Sequence, residues 1–403
     1  MTNDPRRRLL LGLLRAALAA VDGRACTREA LRARLPALHL DTARYHIAAL
    51  GKAAASMALG AAEALGARLE RTLILTKDGH VDPAVAALPG VELHESGHPV
   101  PDARSLASGA RLLEFIEQLP QGVRPVFLVS GGASSLVEVL IPEANLGMLQ
   151  ELNRSGLASG AAIEALNAER RRISCMKGGR LSPRLHGRAA LALFISDVPD
   201  DDPAVIGSGV LGPMPGDARD DVERVVIASI EGAMRAVRSR AIGLSASIAQ
   251  RRFSEDAERL AVRFAHELHL GREALRVWGG ESVVRLPPHP GRGGRNQHLA
   301  LAAARLIAGQ DELFLLAAGT DGTDGATDSA GALVDGDTCA RVALAGLDVD
   351  SCLRRADSAT ALAAAGDLID TGPTGTNVGD LVIGLRLTRR DAEAWLATAH
   401  EAH

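Results

Sequence analysis

Aromatic residues are nearly missing from this chain, which has two Trp, one Tyr and six Phe among 403 residues. Its core must therefore be filled by Ala, Leu and Val, and small aliphatic side chains suit helices packed on parallel strands. Cysteine is scarce as well. Cys26, Cys175, Cys339 and Cys352 stand far apart without CxxC spacing, which argues against a zinc site or a disulfide framework and fits a reducing cytoplasm. Neither sign of charge dominates, with 45 basic against 49 acidic residues and a net charge of −4. No face is prepared for a polyanion, so nucleic acid is not an expected partner.

Long apolar runs are also absent, none approaching the ~20 residues that span a bilayer, so no membrane partner is expected. The N-terminus, MTNDPRRRLLLGLLRAALAAVDG, sets basic residues before an apolar stretch, as a signal peptide would. Arg15 interrupts that stretch, however, and the leucines and alanines recur at helical spacing. The pattern predicts an amphipathic helix with one buried face.

What is present is a rhythm. Short apolar runs ending in Gly, Ser or Asp are each followed by an Ala-rich segment with helical periodicity, the βα alternation of a parallel sheet. Strands are expected at 45–50, 72–76, 125–129 and 190–195, and in the second half at 241–245, 275–278, 313–317 and 381–385. The length suits two domains, and a stretch rich in Gly, Pro and Asp from 197 to 221 separates the two sets of strands. Domains are expected at 1–222 and 223–403. No 20–50-residue repeat occurs, which excludes a solenoid.

In open α/β sheets ligands bind beyond the carboxyl ends of the strands, so chemistry is sought just after each apolar run. Gly51-Lys52-Ala53-Ala54 follows the first and turns directly into a helix. A cation in a helix's first turn opposes the dipole unless an anion joins it; a solvated lysine is the plainer alternative. This is no Walker A loop, because His46 replaces the first Gly and Ala53 the hydroxyl. After 125–129 come Ser130, Gly131, Gly132, Ala133, Ser134 and Ser135. Glycines there let backbone N–H groups surround phosphate oxygens, and the serines add hydroxyls, although a tight turn with Ser134 as N-cap would use the same residues. Asp197 follows 190–195, where a carboxylate can take the proton of an acceptor hydroxyl or hold Mg²⁺. Asp200, Asp201 and Asp202 read as a solvated turn.

Lys177 and Arg180 flank Gly178-Gly179 and are candidate anion contacts, whereas Arg170, Arg171 and Arg172 point in different directions around a helix. In the second half, Arg295 offers a planar fork for a carboxylate or phosphate, while His298 reads as facing solvent in the helix's first turn. Asp321, Asp324 and Asp328 have the wrong spacing for an EF-hand and suit Mg²⁺ or nucleotide hydroxyls instead. Gly372, Thr374 and Asn377 add glycine, hydroxyl and amide groups ahead of the last apolar run.

In order, GKAAASMA, GHPVPD, SGGASSL, KGGRL, ISDV, GGES, GGRNQ, GTDGTDG and GPTGTNVGDL resemble the glycerate 2-kinase family from about Leu50 to Leu385. The resemblance implies two α/β domains: a larger Rossmann-like N-terminal domain and a smaller mixed C-terminal MOFRL domain, with the active site in the cleft between them. The last helix, near 391–400, would fold back on the first domain. The implied activity is cytoplasmic transfer of the ATP γ-phosphate to the 2-hydroxyl of D-glycerate, with Mg²⁺ as cofactor. Lys52, Asp197 and Arg295 match the family's functional lysine, SDV aspartate and GGRNQ arginine. ATP would be held by Ser130, Gly131, Gly132, Ser134, Ser135, Lys177, Asp321, Asp324, Gly372, Thr374 and Asn377, and Mg²⁺ by Asp197 and Asp321. A homodimer is compatible with this reading.

The chain departs from the family at GGAS for GGGS, at Ser208-Gly209-Val210 for SGPT, and at Ser229-Ile230 for a Ser-Asn pair, which keeps another short hydroxy acid open as acceptor. A nicotinamide-dependent hydroxypyruvate reductase is the rival, since residues 207–212 fit GxGxxG. There, though, an aspartate-rich turn comes before and Pro213 stands where a helix should continue.

Overall fold

The computed structural model describes residues 4–34, 43–159, 163–214, 216 and 220–400. The chain divides into two compact units: Val21–Ser229 with Gly375–Val378, and Met1–Ala20 with Ile230–Thr374 and Gly379–His403.

The first unit is built on β1 (Arg44–Leu50), β2 (Leu69–Lys77), β3 (Val91–Ser96), β4 (Val123–Val129), β5 (Ala190–Ile195) and β6 (Val222–Ala228). Their order is β3-β2-β1-β4-β5-β6, and every neighbouring pair is parallel. β5 reads as an unbroken apolar run because both faces of the strand are covered, and all six of its residues are buried. The strand order reverses between β1 and β4, so the carboxyl ends of these two strands border the switch point at which such sheets bind ligands.

The second unit holds β7 (Ala246–Ile248), β8 (Leu275–Gly280), β9 (Leu313–Gly319), β10 (Gly331–Asp335), β11 (Leu368–Ile369) and β12 (Asp380–Arg386). The order is β11-β10-β9-β12-β8-β7, with β7 and β8 parallel and the other pairs antiparallel, a mixed sheet. Helices Ala257–Leu270 and Arg295–Leu306 contribute Phe264 and Leu299 to one core with Trp278, Leu315 and Val382 of the strands.

The N-terminal helix Pro5–Ala20 starts on a proline that pre-sets its first turn and buries Leu9, Leu10, Leu13, Leu14 and Ala17. It belongs to the second unit. Two of the arginines that resemble a leader's basic segment make internal ion pairs: Arg6 with Asp4 at 2.8 Å and Asp311 at 3.2 Å, and Arg7 with Asp335 and, at 2.7 Å, with Asp367. Among the described residues no helix is long and apolar enough to cross a membrane.

Three expectations shift. A boundary at 222/223 would cut off β6, which pairs with β5, so the division falls after Ser229. The closing helix Arg389–His400 packs on Pro5–Ala20, residues that the expected 1–222 boundary gives to the first domain and that cluster with the second unit. Residues 241–245 form a turn, with Leu244 N–H donating to the Ala241 carbonyl at 3.0 Å, and β7 starts at Ala246.

Candidate active site

The turns that leave β1 and β4 are stitched together. Lys52 N–H donates to the Gly131 carbonyl at 3.0 Å, Ala53 N–H to Ser130 Oγ at 3.0 Å, and Ser130 N–H to the Leu50 carbonyl at 2.9 Å. Gly51 makes this approach feasible: its φ is 113°, and a Cβ there would overlap the Ser130 hydroxyl and carbonyl. Ser130 is therefore a strut that fixes where Lys52 starts.

The next two glycines face different side chains. A Cβ on Gly131 would overlap the Asp197 carboxylate and the Asn377 amide. A Cβ on Gly132, whose φ is 86°, would meet Lys52 Cγ at 3.1 Å and the His98 ring at 3.4–3.5 Å. Lys52, Asp197, Asn377 and His98 thus converge on two consecutive residues of one loop. Among the described residues, the N–H groups of Gly131, Gly132 and Ser134 have no hydrogen-bond partner within the chain. Donors left open at the carboxyl edge of a parallel sheet are of the kind that can receive an anion.

Asn377 reaches this place although most of its sequence surroundings belong to the second unit. The segment Gly375–Val378 is part of the first unit: the Gly375 carbonyl accepts from Gly23 N–H at 3.2 Å, and Thr376 Oγ1 donates to the Val21 carbonyl at 2.6 Å. Asn377 Nδ2 then donates to Asp197 Oδ2 at 3.1 Å.

Ser134 and Ser135 are engaged locally. Ser134 Oγ lies 2.8 Å from Ser208 Oγ, and Ser135 Oγ donates to the Gly132 carbonyl at 3.2 Å. The N-cap of the short helix Ala133–Leu136 is Gly132, not Ser134. Lys177 differs from expectation. Its side chain is 1% exposed, pairs with the fully buried Glu138 and donates to the Ser134 carbonyl at 2.6 Å. Glu138 also accepts from Ser174 Oγ at 2.6 Å. An ammonium so enclosed braces the loop instead of meeting a ligand, and burial pushes its pKa down, with Glu138 opposing. Arg180 is likewise engaged internally, with the carbonyls of Arg171 and Ser174. Residues 206–208 form a 3₁₀ turn with no strand leading into it and, among the described residues, no helix following Gly212, so the GxGxxG match is not a dinucleotide-binding turn.

In the second unit, the helix Arg295–Leu306 opens against two buried carboxylates. Asp324 accepts from Asn296 N–H at 3.1 Å and from Gln297 N–H at 2.7 Å, capping the helix from another loop. Asp380 accepts from Arg295 Nη2 at 3.0 Å and from Asn296 Nδ2 at 2.9 Å, and its other oxygen lies 2.8 Å from Arg295 Nε as an ion pair. Glu281 takes Arg295 Nη1. Burial would lower the Arg295 pKa, but Asp380 and Glu281 outweigh it and hold the group well above its ordinary range. Burial pushes Asp324 up to about 7, with Asp380 adding to the shift and the Gln297 and Asn296 N–H donors opposing it.

Asp321 is buried and accepts from Thr323 N–H at 3.1 Å, while Thr374 Oγ1 donates to the Thr320 carbonyl. Gly372 packs its carbonyl where a Cβ on Gly322 would fall. Asp328 is exposed. His298 is buried against Glu258 at 3.4 Å instead of facing solvent. Lys52 and Asp197 thus belong to one unit, and Arg295, Asp321 and Asp324 to the other. No group of three or more His, Cys, Asp or Glu side chains among the described residues is arranged to hold a metal. Sequence reading passes over Glu138, a lone acid inside an apolar segment, and gives no role to His98 and Asp380, although they stand in the GHPVPD and GPTGTNVGDL motifs.

Two family models match the chain: one described as a domain of unknown function, DUF4147, over residues 9–239, and one of the MOFRL family over residues 274–380. A protein named D-glycerate 2-kinase from Thermotoga maritima is 36% identical over 396 residues, covering 89% of this chain and 94% of its own length. A protein of Agrobacterium vitis, provisionally named hydroxypyruvate reductase, is 33% identical over 375 residues, covering 82% of this chain and 96% of its own length. The crystal structure of glycerate kinase from Thermotoga maritima superposes with a TM-score of 0.78 at 33% identity, covering 94% of this chain and 99% of that one. With both domain models matched in order and such identity over nearly the whole length, this chain belongs to the glycerate 2-kinase family.

Proposed function

We propose that the chain is an ATP-dependent kinase that phosphorylates D-glycerate at the 2-hydroxyl, giving 2-phosphoglycerate and ADP. The observation that carries this reading is the set of open N–H groups at Gly131, Gly132 and Ser134 beside the Lys52 stem, at the switch point of a parallel sheet. Such a loop holds phosphate oxygens, and a lysine beside it offsets the charge that spreads over a transferring phosphoryl group. The acceptor and the position of transfer come from the name of the Thermotoga relative.

Asp197 is the carboxylate of this site, oriented by the Asn377 amide. One carboxylate next to a phosphate loop fits Mg²⁺, which commonly takes one or two protein oxygens and fills its shell with phosphate and water. Bound there, Mg²⁺ would neutralise phosphate charge. Asp321 is turned into its own loop and is the weaker ligand candidate.

Arg295 grips the glycerate carboxylate in this reading. Asp380 takes one hydrogen of the Arg295 Nη2 and Glu281 one of the Nη1, which leaves one on each terminal nitrogen. A bidentate carboxylate contact needs that pair. The enzyme works in the cytoplasm, where ATP is supplied.

A coupled ADP-release assay with MgATP tests the reading. Release should depend on D-glycerate and fall by at least ~100-fold in a folded Lys52→Ala variant. NAD(P)H oxidation by hydroxypyruvate, without glycerate-dependent ADP, would refute it.

A further inference from the structure

His98 has no role in the account above, yet its imidazole is as close to the anion loop as Lys52 is. Both would be touched by a Cβ on Gly132, Lys52 through Cγ at 3.1 Å and His98 through Cδ2 at 3.4 Å and Nε2 at 3.5 Å. Asp197 and Asn377 face the preceding glycine instead. The loop is therefore lined by two pairs of side chains, a carboxylate with an amide at Gly131 and an ammonium stem with an imidazole at Gly132. His98 follows β3, so four of the six strands send a residue from their carboxyl ends to this loop: β1, β3, β4 and β5.

The segment that carries His98 is held at several points. Ser96 Oγ lies 3.2 Å from Ser108 Oγ, and Asp102 caps the helix Ala103–Glu117 with a reciprocal capping box. The Pro101 carbonyl accepts from Gln150 Nε2 at 3.0 Å, and Arg104 pairs with Asp78 at 2.6 Å. A half-buried ring on a backbone so fixed is presented in one place.

We propose that His98 is a further catalytic residue, whose ring N–H donates to the phosphoryl group held by the Gly132 and Ser134 N–H groups while Lys52 neutralises it. The inference rests on the kinase reading. An anion in contact with the Gly132 backbone touches whatever lines that glycine, and of the atoms nearest a Cβ placed there, outside its chain neighbours, His98 Nε2 is the polar one. The imidazole takes no proton and forms no bond to phosphorus; it stabilises charge that develops on the equatorial oxygens.

Two variants separate this role from packing. His98→Gln keeps an N–H donor near the position of Nε2 but loses the ring, and His98→Phe keeps the ring but loses the donor. With ATP and D-glycerate, His98→Phe should lose about 100-fold in kcat, while His98→Gln stays within about 10-fold of the native enzyme. Calorimetric titration with ATP, without glycerate, should also give a weaker affinity for His98→Phe than for His98→Gln. The reverse order, Phe active and Gln inactive, would make His98 a packing residue, and full activity in both would remove it from the site. Thermal unfolding of each variant excludes loss of fold as the cause. If the native enzyme releases no glycerate-dependent ADP, the kinase reading fails on its own, whereas a native enzyme that is active with unaffected variants overturns only the role of His98.

Discussion

Asn377 follows Asp197 by 180 residues in the sequence, and its side-chain amide donates to Asp197 Oδ2 at 3.1 Å. The crossing segment Gly375–Val378 exists in the first unit to make contacts of this kind, and it gives Asp197 a fixed orientation. A hydrogen bond to a charged acceptor is worth ~1.5–3 kcal/mol, so Asn377→Ala should lower kcat by about 10- to 100-fold. Steady-state kinetics would check this, with the ATP KM nearly unchanged if the amide acts through Asp197 and raised if it binds nucleotide itself.

Gly131 has no Cβ because the Asp197 carboxylate and Asn377 amide occupy that space. Its φ is not left-handed, so Gly131→Ala strains no backbone and acts by displacing those two groups. A shift of about 1 Å in a reacting group can cost 10²-fold in rate, whereas overpacking of this size costs ~1–3 kcal/mol in stability. We expect an enzyme that is folded, a few degrees less stable, and ~100-fold slower. Equal effects on both would contradict the placement of Asp197.

Asp324 gives a pH signature. Folded, it keeps its proton up to about pH 7, and an unfolded aspartate releases it near pH 3.8. Between these values the native state binds more protons, so the stability from this group is full at the acidic end and is lost as pH rises to about 7. Asp324→Asn has no such proton. Its melting temperature relative to the native protein should therefore rise between pH 5 and 8, and parallel curves would count against a neutral, buried Asp324.

Lys177 and Glu138 form a buried pair behind Ser134. Lys177→Met leaves a carboxylate buried without its partner and should cost ~3–5 kcal/mol in urea unfolding, while the double change with Glu138→Leu recovers most of that loss. A Lys177→Met protein of native stability with a raised ATP KM would instead make Lys177 a ligand contact.

Sequence reading found most strands inside the sheets but missed the edge strands β3 and β6, and also β10, which lies inside the second sheet between β11 and β9. β5 is covered on both faces and appears as an unbroken apolar run, whereas β3 and β6 are half-buried edge strands carrying Glu92, Glu95 and Glu223, and β10 is buried but only five residues long. Lys52, Ser130 and Asp197 were legible because they follow visible strands; His98 follows β3 and stood in the GHPVPD motif without an assigned role. The place of Lys177 was illegible too, because a lysine beside two glycines reads as exposed until Glu138, far off in sequence, is brought to it. Long-range contact of the same kind decides which unit owns Pro5–Ala20 and Asn377.

Phosphoryl transfer to the 2-hydroxyl of D-glycerate can be followed by ³¹P NMR of a reaction with MgATP. ADP and one new phosphomonoester resonance matching authentic 2-phosphoglycerate, a product that enolase then consumes, are expected. A resonance matching 3-phosphoglycerate, or no new ester while ATP stays intact, would contradict it.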